Sequence, residues 1–319
     1  MRDQELTQGI IMRDNTPLTG RRKFGALLTA GLLSAVLSLP AHADYNPQTN
    51  PVPGGVVVIE LPNSIGEGVP EAYFRGKRIY TMNRAYNKRS DDRWVAWIGL
   101  SQNLGAGKHS LDIRQPGGKN RSVYIDVVEP EYNGEKRMAS RTPLRTDLTP
   151  MQQQTIAQDK QVLNSVIQSW SNAEPDSRPF LHPTNGKILK PFGRRIFYND
   201  QVIYNHNSVD LSGQRVVAPA SGRIALIRDM FYQGTHVVID HGSGLFTQYS
   251  HLQAINFRMR EGQWINRGEE IGKIGNTGKQ IIFGKSFAAP ITTPHLGFSV
   301  SLNGVYVNPE LFLTPAHAQ

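Results

Sequence analysis

The stretch Val217-Ala218-Pro219-Ala220-Ser221-Gly222-Arg223-Ile224 is echoed by Glu261-Gly262-Gln263-Trp264-Ile265-Asn266-Arg267-Gly268-Glu269-Glu270-Ile271-Gly272. Glycines at these spacings demand tight turns between very short strands, and no long helix can be threaded through them. From Lys187 onward the β-prone runs are Ile188–Phe192, Gln214–Ala218, Arg223–Arg228, His236–Asp240, Phe246–Tyr249, Trp264–Ile265, Glu270–Ile274 and Gly297–Leu302. A compact β-barrel or folded sandwich follows for residues 187–319.

The N-terminal half has a similar texture. Gly55–Leu61, Lys77–Met82, Trp94–Leu100, Lys108–Arg114 and Ser122–Val128 are separated by Pro-Gly and Gly-rich breaks, which predicts a small β-sandwich-like domain over 44–128. The fold class is therefore mainly β. Residues 129–186 read as a linker carrying a helix near 149–171. Thr149-Pro150-Met151-Gln152 supplies an N-cap, a proline at the first helical position and a capping-box glutamine. Ile156, Leu163, Val166, Ile167 and Trp170 form its apolar stripe.

Arg21-Arg22-Lys23-Phe24 leads into an apolar run from Gly25 to Leu39 and then Ala41-His42-Ala43. This predicts a signal peptide over 1–43, cleaved after Ala43, because the run is too short for a bilayer span of about 20 residues. The paired arginines fit a twin-arginine or an ordinary secretory signal. The expected location is periplasmic or secreted, with no transmembrane segment in the mature chain. The formal charge of +9 suits an acidic polymer or anionic surface and is too diffuse to indicate nucleic acid. With no cysteine, disulfides, thiolate-bound metal and lipoprotein anchoring are excluded.

Four residues of the C-terminal part form the inventory of a metal site. His206 and Asp210 lie four apart in a turn-prone segment, His251 follows the strand ending at Tyr249, and His295 stands just ahead of Phe298. His182, His236 and His241 read as ordinary exposed, half-buried or turn-ordering histidines, and Tyr249 as packing.

The order and surroundings of these residues resemble the LytM/lysostaphin family of zinc endopeptidases over about Leu189 to Leu313. The matching pieces are Phe192-Gly193-Arg194-Arg195, His206-Asn207-Ser208-Val209-Asp210, Ala218-Pro219-Ala220-Ser221-Gly222, Asp240-His241-Gly242, Tyr249-Ser250-His251-Leu252, Gly275-Asn276-Thr277-Gly278, Pro294-His295-Leu296 and Val307-Asn308-Pro309. Val52-Pro53-Gly54-Gly55 and Trp94–Gly99 similarly resemble the β-domain that precedes the peptidase in some exported members.

The resemblance implies zinc-assisted amide hydrolysis. It puts His206 and Asp210 at two metal-ligand positions and His251 and His295 at the two catalytic-histidine positions. The third ligand is implied two residues after His295, since residues i and i+2 of a strand share a face. That residue is Gly297, which has no donor atom. Ser208 stands where the family has glycine, the segment Asp210–Val216 is shortened, and 15 residues, Lys279–Thr293, replace a short spacer. Two readings follow: a peptidoglycan-directed domain that is impaired or non-hydrolytic and acts in wall binding or in regulation of another cell-wall hydrolase, with zinc weak or absent, or an active zinc endopeptidase cutting peptide cross-links. A biotinyl or lipoyl carrier is the third class, and it lacks the lysine hairpin that such a domain requires.

Overall fold

The computed structural model describes residues 45–61, 70–83, 94–115, 120–130, 136–138, 148–176, 178–198, 201–282 and 286–314. The segment 1–43 read as a signal peptide lies outside the described residues. No helix among the described residues is long and apolar enough to cross a membrane.

The molecule is mainly β. In the N-terminal part, six antiparallel strands run in the order Val56–Leu61, Trp94–Gly99, Lys77–Asn83, Glu71–Phe74, Gly107–Arg114 and Arg121–Val127. Alternation along them sends Leu111, Ile113, Ile125 and Val127 inward and charged neighbours outward, as period-two strands with one wet face require. The strand Glu71–Phe74 was not anticipated. It is only four residues long and is held between two partners, so its support comes from pairing that a local pattern does not display.

The second sheet runs Trp264–Ile265, Gly222–Met230, Gly234–Gly242, Leu245–Ile255, Leu296–Leu302, Val209–Leu211 and Ile188–Lys190, with three short branches. All its pairings are antiparallel. The inserted segment after Gly278 contains a hairpin of Lys279–Ile282 and Ser286–Pro290. A further strand, Lys136–Met138, pairs in parallel with Arg195–Tyr198 inside the stretch read from sequence as a plain linker. Parallel pairing across that sequence separation leaves no local signature.

The helix spans Pro150–Ile167 and starts as the sequence requires. Thr149 Oγ1 accepts from Gln152 N–H at 3.2 Å while Gln152 Oε1 accepts from Thr149 N–H at 2.9 Å. Leu163 and Ile167 pack on Leu226, Met230, Val238 and Phe246. Asp159, buried on the same face, pairs with Arg228 at 3.2 Å and accepts the Phe231 N–H at 2.8 Å. Trp170 lies beyond the helix end, its ring under the Arg78 guanidinium at 4.8 Å.

The two β regions share one core. Trp97 stacks 4.5 Å from Tyr80 and stands edge-on to Tyr45 and to Phe312 of the terminal turn, both at 6.3 Å. Asn303 joins the two backbones, donating to the Trp97 carbonyl and accepting from Tyr80 N–H, both at 3.2 Å. The motif pieces Val52–Gly55 and Val307–Pro309 meet directly, since Asn308 N–H donates to the Gly54 carbonyl at 2.7 Å.

Gly242 shows how tightly the turns are built. Its φ is +104°, and a Cβ there would stand 2.0 Å from the Ala173 carbonyl oxygen. Gly242→Ala is expected to cost more than about 1 kcal/mol, because an L side chain is incompatible with both the dihedral and the space. Denaturant unfolding of the variant measures it, and an unchanged midpoint would contradict this account.

Candidate metal centre

Four antiparallel strands lie side by side where the sequence-predicted residues meet. Cross-strand register puts Ser250 opposite Gly297, Gly297 opposite Asp210, and Asp210 opposite Lys190. Residues directly opposite one another present the same face, so one row crosses Leu245–Ile255, Leu296–Leu302, Val209–Leu211 and Ile188–Lys190 through a serine, a glycine, an aspartate and a lysine.

Asp210 is 3% exposed and is the hub. Its Oδ1 is 3.0 Å from His206 Nε2, and its Oδ2 is 3.1 Å from Lys190 Nζ and 3.7 Å from His295 Nε2. Burial pushes the carboxyl pKa up. The His206 hydrogen bond and the charges of His206, His295 and Lys190 outweigh it and hold Asp210 well below the usual carboxylate range. Ser208 Oγ sits between these two side chains, 3.2 Å from His206 Nε2 and 3.4 Å from Asp210 Oδ1.

Each of the three histidines is oriented in the same way. His206 Nδ1 is 2.8 Å from the Pro191 carbonyl, His251 Nδ1 is 3.0 Å from that of Thr277, and His295 Nδ1 is 2.8 Å from that of Thr293. A carbonyl only accepts, so Nδ1 carries a proton in each ring and Nε2 points into the site, that of His206 donating to Asp210 Oδ1. Such anchoring of the far nitrogen is the usual way a metal-binding or catalytic imidazole is aimed.

His251 does not follow the strand end but sits within a strand that runs on to Ile255, at φ +67°. A non-glycine residue in this region is uncommon and is held there by its surroundings. Its N–H donates to the Gln233 carbonyl at 2.7 Å, and the ladder shifts register between Thr235 and Val237 opposite. The bulge turns the imidazole towards the site, with its centroid 4.8 Å from that of His295. Burial and the nearby His295 charge push its pKa down to about 4, against the Thr277 hydrogen bond.

The motif Gly275–Gly278 acts through Thr277, which receives the His251 proton on its carbonyl while its hydroxyl donates to Leu252 O at 2.8 Å and accepts from Thr235 N–H at 3.0 Å. Thr277, Thr293 and Lys190 were not singled out from sequence. Two act through main-chain carbonyls, which are the same in every residue type, and Lys190 is identified only by strand pairing.

Of the remaining histidines, His182 bonds the Thr314 carbonyl at 3.1 Å, and His236 is fully buried with Nδ1 on Ser250 Oγ at 3.1 Å. His241 lies in a closed polar chain, from the Ser221 carbonyl through its own ring to Thr247 and the Tyr249 hydroxyl, with each step between 2.7 and 2.8 Å. At Gly297 an added Cβ would meet His251 Cδ2 and Ser250 Cβ, each at 3.3 Å.

Residues 204–309 match the model described as peptidase family M23, and residues 49–127 match that of the peptidase family M23 N-terminal domain. The chain carries an M23 peptidase domain behind an M23 N-terminal domain. Peptidoglycan DD-endopeptidase ShyA of Vibrio cholerae is 32% identical over 118 residues, which is 36% of this chain and 24% of that protein. DD-carboxypeptidase/endopeptidase Mpg of Neisseria meningitidis is 33% identical over 132 residues, 40% of this chain and 27% of that protein. The matches thus span about a quarter of these relatives' length. A crystal structure from Pseudomonas aeruginosa assigned to peptidase M23 superimposes with a TM-score of 0.65 at 26% identity, covering 83% of this chain and 96% of that one.

Family M23 is zinc-dependent, so the donors here can be tested against that ion. Catalytic zinc normally takes three protein ligands and a water. His206 and Asp210 offer two donors, Gly297 offers none, and an ammonium already stands on Asp210 Oδ2. At the three ligand positions that the resemblance implies, the donor set is one short of that count.

Proposed function

We propose that this chain is an exported cell-envelope protein whose M23 domain engages peptidoglycan and hydrolyses it poorly or not at all, acting in wall binding or in regulation of a separate wall hydrolase. One observation carries the reading. The strand position beside Asp210 that the resemblance makes the third ligand is Gly297, with no atom to bind a metal. Two protein donors hold a divalent cation weakly and leave its bound water poorly aimed at an amide. Ser208, set between His206 and Asp210, crowds the same space. Peptidoglycan as the target is supported by relatives named for acting on it, and export by the Arg-Arg start, the short apolar run and the Ala-His-Ala site.

The second reading, an active zinc endopeptidase cutting peptide cross-links, is favoured by the His251 and His295 pair. Their rings are 4.8 Å apart and both are anchored through Nδ1, as proton-transfer groups need to be. Metal analysis of the purified full chain, with release of soluble fragments from purified peptidoglycan and co-sedimentation with it, separates the two. Sub-stoichiometric zinc, little release and clear co-sedimentation are expected. Stoichiometric zinc together with wall digestion would establish the second reading instead.

A further inference from the structure

We infer that Lys190 is the resident cation of this site, its ammonium supplying to Asp210 the positive charge that a bound divalent ion would otherwise supply. The inference rests on the reading that the site is not a catalytic zinc centre.

A carboxylate as buried as Asp210 is costly to ionise without a counter-charge held close to it. Lys190 provides one at 3.1 Å, on the oxygen that His206 does not bond and that His295 Nε2 approaches only to 3.7 Å. The pairing follows from the fold. Lys190 is opposite Asp210 on the outermost strand, and Gly297 is opposite Asp210 on the other side. The residue without a donor atom and the residue with an ammonium head therefore flank the same carboxylate in one row. Lysine suits the position because its stem can leave the site while its head stays partly in water, and its side chain is half exposed.

The consequence is competition. A cation arriving at Asp210 must displace the ammonium or share the carboxylate with it, and two positive charges at this range repel each other. Restoring a donor at position 297 alone therefore does not restore the site. Lys190 must be removed as well.

The test uses the full chain and four variants: Lys190→Met, Lys190→Arg, Gly297→His, and Gly297→His with Lys190→Met. Each is stripped with chelator and titrated with zinc against a chromophoric competitor. The double variant is expected to bind zinc roughly tenfold or more tightly than Gly297→His alone. Where the histidine is not accommodated beside His251, the native background carries the same test, with weak zinc binding that tightens in Lys190→Met and not in Lys190→Arg. In metal-free buffer Lys190→Met should also melt below the native chain, with Lys190→Arg close to it. Equal zinc affinity with and without Lys190, in a native chain that binds little zinc, overturns this inference alone. Tight stoichiometric zinc on the native chain overturns the underlying reading, and this inference with it.

Discussion

Acidification from about pH 6.5 to about pH 4.5 is expected to remove on the order of 5 kcal/mol of folding stability through His236 and His241 alone. Both are 1% exposed. Burial pushes the first down to about 3, helped by the charge of His251. It pushes the second down to about 4, against the opposing pull of the Ser221 hydrogen bond and the Asp240 and Asp176 charges. In an unfolded chain each titrates near 6.5. Above that value both states are neutral and the full stability is present. Below it the unfolded chain gains protons that the folded core refuses, so stability falls by roughly 1.4 kcal/mol per histidine per pH unit until the folded values are reached. Urea unfolding at stepped pH reads this slope. His236→Gln should reduce it by about half, whereas a native profile that is flat across the interval would sink the argument.

Trp97→Ala is expected to cost about 3–5 kcal/mol, the range for removing a large aromatic from a packed core. Trp97 is 2% exposed and touches groups from both β regions: Tyr80 and Tyr45 on one side, Phe312 on the other. Its indole N–H, which donates to Asn46 Oδ1 at 3.0 Å, goes with it and leaves that acceptor unpaired. Trp264, which is 47% exposed, is the internal control, and Trp264→Ala should fall within roughly 0.5 kcal/mol of the native chain. Denaturant unfolding of both variants makes the comparison. A Trp97→Ala loss no larger than that of Trp264→Ala would show that the shared core is not what joins the two regions.

The coupling reaches the rim of the candidate site. Gln102, from the N-terminal region, donates to Asn207 Oδ1 at 3.0 Å, and its carbonyl accepts from Arg195 Nη2 at 2.7 Å. Asn207 is the residue after His206, so the N-terminal domain supports one wall of the site directly.

How much of this was legible beforehand differs from element to element. The helix start was read residue by residue because a capping box is a local device: Thr149 and Gln152 satisfy each other three positions apart. The helix end was read three to four residues too late, since Trp170 continues the apolar stripe but packs against Arg78 and the Gly244 turn rather than on the helix face. Asp159 on the packed face was invisible to a polarity pattern, because its partner Arg228 comes from a strand 69 residues away. His251 lies beside His295 in a setting that its sequence neighbours do not display, as a left-handed residue inside a strand is imposed by Gln233 and by the shifted ladder opposite.

The sequence by itself determined the β class and the position of the helix cap, and it pointed to His206, Asp210, His251 and His295 as candidate site residues and to Gly297 as a position without a donor. The first two rest on side-chain period and short-range turn chemistry, and the others on motif order read through the family resemblance. Only the tertiary structure decided that Lys190, Asp210, Gly297 and Ser250 form one row, and that three main-chain carbonyls aim the three imidazoles. It also decided that a tryptophan from one β region is buried against the other. Strand register and carbonyl direction are set by pairing between distant segments, and no local pattern of side chains encodes them.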